Sequence, residues 1–534
     1  MATLLSPAAS SIPAARHRLI LVLFCAAIWL PGLPARTLWP TDEPRYSLVA
    51  REMIARGDLV VPIRNGEVYH SQPPLFLWCE AAMAALAGDS EAALRVPSFL
   101  AGLGGVLIVH ALASAWFGPG AGLLSGLVLA TDIRYLLQAQ WISTDMLLCL
   151  LVTGSLACFA RGYGTGRRGW YLVCYVLASA ATMTKGPVGF VLPGLVIVSF
   201  LALRRDLGEI LRMRLFSGTL IFMVIVLPWY LMFWHRAGGE SALDLVLTQS
   251  FRRYVSAWNN QQPWYYFLWR LPADLLPWTP VLPFAVWVSL RRMPDRDRLL
   301  LYCWIAAMFV FFSISTGKRG VYLLPAHPAA AILIGWLWDA AIRAPEDRSM
   351  ARCLRWCSLL TAFVFVVAGI STLASRSALA AIEGAGPAAS VLGGLGLAAG
   401  TVLALTPPRR SPHAAALATG LLAVVALVIA APVENRRRNQ SDFTAELTRQ
   451  VPEGARLGIV RKGFEEISFY SGRTAEIELE TGRSLRDWMK EPETVYAVLD
   501  RRSYEQVLSK SFPPWDLLAR GEMAGREYFL IVKR

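Results

Sequence analysis

Long apolar segments separated by short polar loops occupy most of the chain up to residue 432. Most of these segments have the length of a membrane-spanning helix, so the pattern predicts an α-helical polytopic membrane protein with about thirteen transmembrane helices. The predicted spans lie at residues 18–33, 92–113, 119–132, 141–160, 169–184, 187–203, 215–235, 274–290, 299–315, 321–341, 356–374, 387–406 and 413–432. The first span has a rival interpretation as a signal peptide, because Arg16 and Arg18 precede a short apolar run that ends near Ala35.

Lysine and arginine are distributed unequally between the loops. Loops on one side, among them residues 161–169, 204–214 and 291–298, carry nineteen, whereas the short loops on the other side carry five. By the positive-inside rule the first set faces the cytoplasm, which predicts an inner-membrane protein whose long loops face the periplasm. The net charge of +14 therefore reflects topology, and because the basic residues form no single stripe, no nucleic acid partner is predicted.

The outer side carries two regions with their own predicted structure. Residues 34–91 form a first outer loop with an amphipathic stretch, in which Leu48, Val49, Met53 and Ile54 are expected to lie flat on the membrane. Residues 435–534 are richer in charge, and strand-like runs such as TVYAVLD alternate there with helical ones. The chain is thus expected to comprise a transmembrane domain at 1–434 and a small periplasmic α/β domain at 435–534.

Composition excludes several other classes. With 55% apolar and 17% charged residues and a mean hydropathy of +0.44, the chain is too apolar for a single soluble domain. The eight cysteines lie in or beside apolar segments without a CxxC pair, and the six histidines are scattered. Neither a disulfide framework nor a metal cluster is therefore predicted.

An acidic and basic cluster, TDEPRY at residues 41–46, follows the first apolar segment. Fixed charges at the edge of hydrocarbon are costly, so the carboxylates of Asp42 and Glu43 are candidates for chemistry. The structural alternative is that Asp42 caps a helix or pairs with Arg45.

These residues and several later motifs resemble the aminoarabinose lipid A transferases within the protein O-mannosyltransferase (GT-C) superfamily. In the first outer loop the resemblance rests on TDEPRY, REM and GDLVVPIRNGEVYHSQPPLFLW. Downstream it rests on WISTDMLL at 141–148, TKGPVGFVLP at 184–193, QSFRRY at 249–254 and FSISTGKRGVYLLPAHPA at 312–329. The motifs follow in the family's order and spacing through nearly the whole membrane part.

The resemblance implies a GT-C fold and an integral membrane glycosyltransferase that uses an undecaprenyl phosphate sugar donor at the periplasmic face. In this branch the sugar is aminoarabinose and the acceptor is lipid A. Such a transfer develops positive charge on the sugar ring and negative charge on the departing phosphate, so it needs both carboxylates and cationic donors. No cofactor is predicted, and a divalent cation held by Asp42, Glu43 and Asp145 stays an open alternative.

Residue by residue, the resemblance implies Asp42 as the leading catalytic carboxylate, Glu43 beside it, and Asp145 as a second acid brought close in space. Asp145 has the alternative of a helix cap formed with Thr144. The residues expected to bind the carrier phosphate are Arg45, Tyr46, Gln72, Lys185, Arg253, Lys318 and Tyr322. Lys185 has the alternative of anchoring a helix end at the headgroups, and Tyr322 that of an interfacial aromatic belt.

Two positions depart from the family's pattern. Ser71 and Gln72 stand before Pro73 where the family has Glu and Lys, and Gln249 replaces an acidic residue. Gln72 removes a positive charge expected near the carrier phosphate, which leaves the identity of donor and acceptor open. Glycosylation of a protein or another envelope polymer is therefore the alternative activity. A transporter or flippase is the non-enzyme alternative, although the paired inverted repeats typical of many transporters are not seen.

Overall fold

The structure is a computed structural model that describes residues 11–39, 42–245, 254, 260–379, 385–438, 440–460, 464–473, 475–479, 482–509, 513–523 and 526–533. The chain divides into two compact units. The first is drawn from Met1–Leu33, His70–Phe76 and Arg95–Leu427, and the second from Pro34–Tyr69, Leu77–Leu94 and Val428–Arg534. The second unit thus combines the first outer loop with the C-terminal region.

The described helices fall into two series along the chain. Those before residue 250 are α1 (Ser11–Trp29), α2 (Gly32–Ala35), α3 (Asp42–Arg56), α4 (Leu75–Ala87), α5 (Glu91–Phe117), α6 (Pro119–Thr131), α7 (Ile133–Gln138), α8 (Thr144–Thr165), α9 (Gly169–Lys185), α10 (Val188–Leu203), α11 (Glu209–Arg212), α12 (Leu215–Ala237) and α13 (Gly239–Leu243). Those after residue 260 are α14 (Tyr266–Asp274), α15 (Leu282–Arg292), α16 (Asp295–Ile314), α17 (His327–Arg343), α18 (Arg348–Ala374), α19 (Arg376–Leu379), α20 (Ala385–Leu405), α21 (Ser411–Arg438), α22 (Gln440–Gln450), α23 (Phe464–Ser471), α24 (Gly482–Trp488) and α25 (Arg501–Ser509), with 3-10 turns at Thr279–Val281 and Gly320–Ala326.

Fewer helices than predicted are long enough to cross a membrane. Within the described ranges nine pass by length and apolar composition, or ten if α14 and Thr279–Arg292, bent by 110°, form one span. The nine are Ala15–Ala35, Glu91–Phe117, Thr144–Thr165, Leu215–Ala237, Asp295–Ile314, Gly320–Arg343, Arg348–Ala374, Ala385–Leu405 and Ser411–Asn435. The other predicted spans are helices too, but α6 has 13 residues and α10 has 16. At 1.5 Å per residue such helices are roughly 20–24 Å long, short of the roughly 30 Å hydrocarbon core.

The C-terminal part of the second unit contains a five-stranded sheet. Its strands are β3 (Arg456–Val460), β4 (Ile477–Leu479), β5 (Val495–Asp500), β6 (Trp515–Met523) and β7 (Arg526–Lys533), after a small hairpin of β1 (Ile63–Arg64) and β2 (Glu67–Val68). The order is β4-β3-β5-β7-β6, with β3 parallel to β4 and β5 and with β7 antiparallel to β5 and β6. Parallel strands joined through helices and buried apolar strands such as β3 and β5 make this an α/β sheet, as predicted.

The amphipathic stretch of the first outer loop forms α3, but its apolar face is not free. Leu48, Val49 and Met53 are buried in protein, whereas Ile54 is exposed. Helix α3 packs against α23 of the C-terminal region, where Arg51 donates a 2.7 Å hydrogen bond to the carbonyl of Phe469. The expectation that this face lies on the membrane is therefore wrong, because the sheet region supplies the apolar partner instead.

Candidate functional site

Asp145 lies in the first turn of α8, in the first unit. The helix begins at Thr144 because Ser143 acts as its N-cap, with the Ser143 hydroxyl accepting a 3.1 Å hydrogen bond from the backbone N–H of Asp145. The cap expected from Thr144 and Asp145 is therefore made by Ser143 instead. This leaves the Asp145 carboxylate available for a partner from another helix.

Lys185 is that partner, and the local backbone explains its position. It is the last residue of α9, which ends at Gly186 with φ of +77°, a conformation that residues with a side chain rarely adopt. Three residues later, a Cβ on Gly189 would lie only 2.2 Å from the backbone of Ala181. The two glycines of TKGPVG thus allow a close turn between α9 and α10, which places Lys185 at its corner.

Asp145, Lys185 and Tyr322 form one cluster. The ammonium of Lys185 forms an ion pair with Asp145 and lies 5.2 Å from the centre of the Tyr322 ring. The side chains of Lys185 and Asp145 are only 16% and 9% exposed, so water screens the pair weakly. Lys185 is thus directed into protein, which argues against a purely interfacial anchor, and three separate motifs of the chain meet in one place.

Tyr322 lies in the 3-10 turn Gly320–Ala326, next to residues that sequence reasoning missed. The turn leads into α17 at His327, whose Nδ1 is 2.6 Å from the Asp132 carboxylate in a fully buried pair. Asp132 also caps α7 by accepting a 3.0 Å bond from the N–H of Tyr135. The pair of Asp132 and His327 thus joins the turn that carries Tyr322 to α7. In the sequence, only the histidine of the YLLPAHP motif indicated that this pair could exist.

Lys318 is more enclosed than expected for a phosphate ligand at a surface. Its ammonium donates to the backbone carbonyls of Gln262, at 3.0 Å, and of Ser315. Burial lowers its pKa, because the charged form loses hydration there. Lys318 lines a cavity of about 610 Å³ together with Ser315 and Thr316. It is thus available to a ligand in that cavity only through its remaining N–H group.

Of two other expected phosphate ligands, the structure describes Gln72 but not Arg253. Gln72 is half-buried in the loop before α4, and its side chain forms no hydrogen bond with any residue that the structure describes. Arg253 lies outside the described residues. Its neighbour Tyr254 is described and donates a 2.7 Å hydrogen bond to the carbonyl of Phe311.

Glu43, in the second unit, is held in a buried ion pair. Both of its carboxylate oxygens accept bonds from the guanidinium of Arg36, and the N–H of Trp39 donates a further bond of 2.9 Å. The Glu43 side chain is fully buried and that of Arg36 nearly so. Glu43 therefore holds the chain that leads into α3. Because its carboxylate is paired with Arg36, Glu43 is not a free carboxylate beside Asp42.

Asp42, by contrast, is partly exposed in the first turn of α3. The Nη1 atom of Arg45 lies 4.0 Å from its carboxylate, which is longer than a hydrogen bond. Arg45 is held more closely by Glu465 of α23, at 2.9 Å, and Glu465 also pairs with Arg64 at 3.3 Å. The contact between Asp42 and Arg45 is thus a long one, and Arg45 pairs more closely with the C-terminal region.

A second buried acid, Glu80 of α4, was not expected from the sequence. It is completely buried, and neither of its carboxyl oxygens has a hydrogen-bond partner among the described residues. Burial raises its pKa well above the usual value, and the negative charge of Glu43 adds to the effect. Tyr46, an expected phosphate ligand, is also buried in this unit. Among the described residues no group of three or more His, Cys, Asp or Glu is arranged to hold a metal ion.

Comparison with known proteins places these motifs in a family context. The family described as dolichyl-phosphate-mannose-protein mannosyltransferase matches residues 71–232. The undecaprenyl phosphate-alpha-4-amino-4-deoxy-L-arabinose arabinosyl transferase 2 of Pseudomonas fluorescens is 30% identical over 378 residues, 66% of this chain. The corresponding transferase of Yersinia enterocolitica is 26% identical over 338 residues, 60% of this chain. The matched regions cover 61% and 59% of these two relatives, so the chain matches about three fifths of their length.

A solved structure resembles the whole chain. The crystal structure of ArnT from Cupriavidus metallidurans bound to undecaprenyl phosphate superposes with a TM-score of 0.84 at 24% identity and covers 98% of each chain. The apo state of that protein gives a TM-score of 0.82. The predicted resemblance to the aminoarabinose transferases and the predicted GT-C fold are therefore both confirmed, and the chain is a multi-span membrane protein with the fold of ArnT.

Proposed function

We propose that this chain is an integral membrane glycosyltransferase that transfers aminoarabinose from undecaprenyl phosphate to lipid A at the periplasmic face of the bacterial inner membrane. One observation carries the proposal. In a chain with the ArnT fold, three motifs that resemble the aminoarabinose transferases contribute Asp145, Lys185 and Tyr322 to a single cluster. The relatives' names supply the donor, and the resemblance of the motifs implies lipid A as the acceptor.

In the proposed reaction the carrier phosphate leaves with its negative charge, and Lys185 stabilises that charge. A lysine has three N–H donors, so one can remain on Asp145 while the others bind a phosphate. Asp145 then acts as a positioning residue that directs the ammonium, in place of the catalytic acid expected from the sequence. Tyr322 lies beside Lys185 and supplies a hydroxyl that is a suitable second donor. Lys318, Arg253 and Gln72 remain candidates for further contacts to the donor.

Asp42 is proposed as the catalytic carboxylate because it is the acid of TDEPRY that is partly exposed, whereas Glu43 is fully buried on Arg36. If the acceptor is a hydroxyl, Asp42 takes its proton. If the acceptor is a lipid A phosphate, which is already ionised, Asp42 orients it or stabilises the positive sugar ring. Glu43, paired with Arg36, keeps the first turn of α3 in place.

The orientation is part of the proposal. The basic loops, such as residues 204–214, lie in the cytoplasm, and the first outer loop and residues 435–534 lie in the periplasm, as the positive-inside rule favours. The periplasmic domain contributes the contact of Glu465 with Arg45 and Arg64 to the region around Asp42. We therefore propose that it holds α3 in the conformation in which Asp42 is active.

The test is lipid A mass spectrometry in a host that lacks its own transferase and makes undecaprenyl phosphate aminoarabinose. The unaltered protein should add one aminoarabinose mass to lipid A, and Asp42→Asn should reduce the yield roughly 10²-fold or more. Asp487→Asn is the matched control, because Asp487 is exposed in α24 and should leave the product unchanged. Equal product from Asp42→Asn would refute the assigned role, and no product from a correctly inserted unaltered protein would refute the donor and acceptor.

Gln72 favours a second candidate, in which the same machinery serves another lipid-linked sugar or a protein or polysaccharide acceptor. If the donor is the family's, Gln72→Lys should restore a charge-assisted contact and lower the KM for that donor by about tenfold, which corresponds to about 1.4 kcal/mol. Ser71→Lys adds the same charge one residue away and serves as the control. An unchanged KM for Gln72→Lys, with lipid A unmodified and a glycosylated protein lost on deletion, would favour the second candidate.

A further inference from the structure

The first unit contains an apolar cavity that the proposed reaction does not use. Its volume is about 380 Å³, within the range of ligand sites, and it is enclosed by α9, α10, α12 and the residues just before α12. Phe190 and Phe222 contribute to its wall and meet edge to face with their ring centres 5.2 Å apart. Leu215, at the start of α12, lines the other end, about two turns of helix from Phe222.

The cavity adjoins the basic loop of residues 204–214. Ile210 and Met213 of this loop line the cavity, and Arg214 lies between two lining residues, Met213 and Leu215. Large apolar side chains around the loop are exposed, with Leu211 80% and Phe216 84% accessible. Exposed apolar side chains interspersed with arginines are typical of a segment at the boundary between lipid tails and headgroups.

The acidic side chains of this loop and two of its arginines differ in whether they have partners. Its two acids are held by tyrosines, since Tyr163 donates a 2.9 Å hydrogen bond to Asp206 and Tyr171 donates a 2.6 Å bond to Glu209. Arg205 and Arg214 are exposed and form no ion pair with any residue that the structure describes. The basic loop that adjoins the apolar cavity therefore presents two cations without a counter-ion from the described chain, and Arg214 is the one next to lining residues.

We infer that this cavity binds one acyl chain of an anionic phospholipid, whose phosphate is bound by Arg205 and Arg214. A phosphodiester headgroup matches the guanidinium groups in charge and geometry, and the acyl chain matches the apolar wall. A neutral lipid would match only the apolar wall of the cavity, and a soluble phosphate would match only the arginines. The site does not depend on the proposed glycosyl transfer, and by the positive-inside rule it opens toward the cytoplasmic leaflet.

Gly194 offers a way to fill the cavity without disturbing the fold. It lines the cavity, and a Cβ added there meets no atom within 4 Å. Gly194→Leu should therefore occupy the space of the acyl chain. Gly394 of α20 is the matched control, because a Cβ there also meets nothing within 4 Å and the residue is not among those that line the cavity.

The arginines allow an independent test of the headgroup. Both Arg205 and Arg214 have φ of +56°, so asparagine, which tolerates this conformation, is the appropriate replacement. The double variant Arg205→Asn and Arg214→Asn removes two charges from the loop. The double variant Arg167→Asn and Arg168→Asn removes the same charge from another exposed loop on the same predicted side.

The experiment is native mass spectrometry of the purified full-length protein with added phosphatidylglycerol or phosphatidylcholine of identical acyl chains. The unaltered protein and both controls should retain phosphatidylglycerol about tenfold better. The Arg205 and Arg214 double variant should lose this preference, and Gly194→Leu should lose one bound lipid of either kind at an unchanged melting temperature. Equal retention of the two lipids by the unaltered protein, or as much phosphatidylglycerol on Gly194→Leu as on Gly394→Leu, would overturn the inference.

Discussion

Substitutions of Asp145 and Lys185 can measure whether Asp145 acts through Lys185 or independently of it at the proposed site. If Asp145 only positions Lys185, then its loss matters only while Lys185 is present. If Asp145 is instead an independent catalytic acid, then the two losses multiply. The variants Asp145→Asn and Lys185→Met and their combination form a double-mutant cycle that separates the two cases.

The burial of the pair sets the expected size of the effect. The partners are 9% and 16% exposed, so an effective dielectric constant of about 20 is appropriate, and charges about 4 Å apart then interact by about 4 kcal/mol before desolvation. When the carrier phosphate leaves the sugar, it gains a negative charge next to Lys185. The interaction energy of that charge with the ammonium is comparable to that of the ion pair. Lys185→Met should therefore lower kcat roughly 10²- to 10³-fold, the range observed when one charge-stabilising donor is removed.

Asp145→Asn keeps a hydrogen-bond acceptor for Lys185 but removes the charge that holds it. We expect a loss of about tenfold, which corresponds to about 1.4 kcal/mol. The combined variant should be no slower than Lys185→Met alone within about twofold, because no ammonium remains to be positioned.

The assay is single-turnover transfer by purified protein from undecaprenyl phosphate aminoarabinose to lipid A, with donor binding measured separately. Glu505→Gln, which removes one member of an exposed ion pair with Arg501, is a control that should change neither quantity. Losses that multiply to about 10³–10⁴ in the combined variant would refute the positioning role of Asp145 and return it to the catalytic acid expected from the sequence.

Two further predictions concern the second unit. Arg36→Met leaves the buried Glu43 carboxylate without its cation and should destabilise the fold by about 3–5 kcal/mol, whereas adding Glu43→Gln should recover most of that loss. Melting temperatures in detergent test this, with the exposed Arg56→Met as control, and no recovery in the double variant would contradict the ion-pair explanation. The pKa of Glu80 is raised, so above about pH 4.3 the folded state binds more protons than the unfolded state. The contribution of Glu80 therefore makes the free energy of unfolding fall as the pH rises toward the folded-state pKa. Glu80→Gln should remove this part of the pH dependence of melting, and identical pH profiles for the two proteins would contradict it.

The positions of the long helices could be predicted from the sequence with little error. Each predicted span corresponds to a helix, because apolar composition over about 20 residues is a local property that the membrane selects directly. Nine or ten of the described helices have the length of a span, whereas helices such as α6 and α10 have the composition of a span at a shorter length. Most of the strand-like runs of the C-terminal region also became strands, but β6 was missed because it is a largely exposed edge strand without a buried face.

The partners of the charged residues could not be predicted in this way. Asp145 and Lys185 are 40 residues apart in sequence, and Arg45 and Glu465 are 420 apart. The sequence indicated that acids and bases of this kind occur at functional positions, and the order of the motifs indicated the family. It could not distinguish Glu43, which is buried on Arg36, from its neighbour Asp42, which is partly exposed.

The sequence by itself therefore determined the class of protein, the approximate helices and the motifs, because hydropathy and motif spacing act within short stretches of chain. The tertiary structure decided which partners the charged motif residues have and how deeply each is buried. It also decided that the apolar face of α3 is covered by protein and that an apolar cavity adjoins the arginines before α12. The physical reason is that charge pairing and burial depend on contacts between residues far apart in the chain, and only packing brings those residues together.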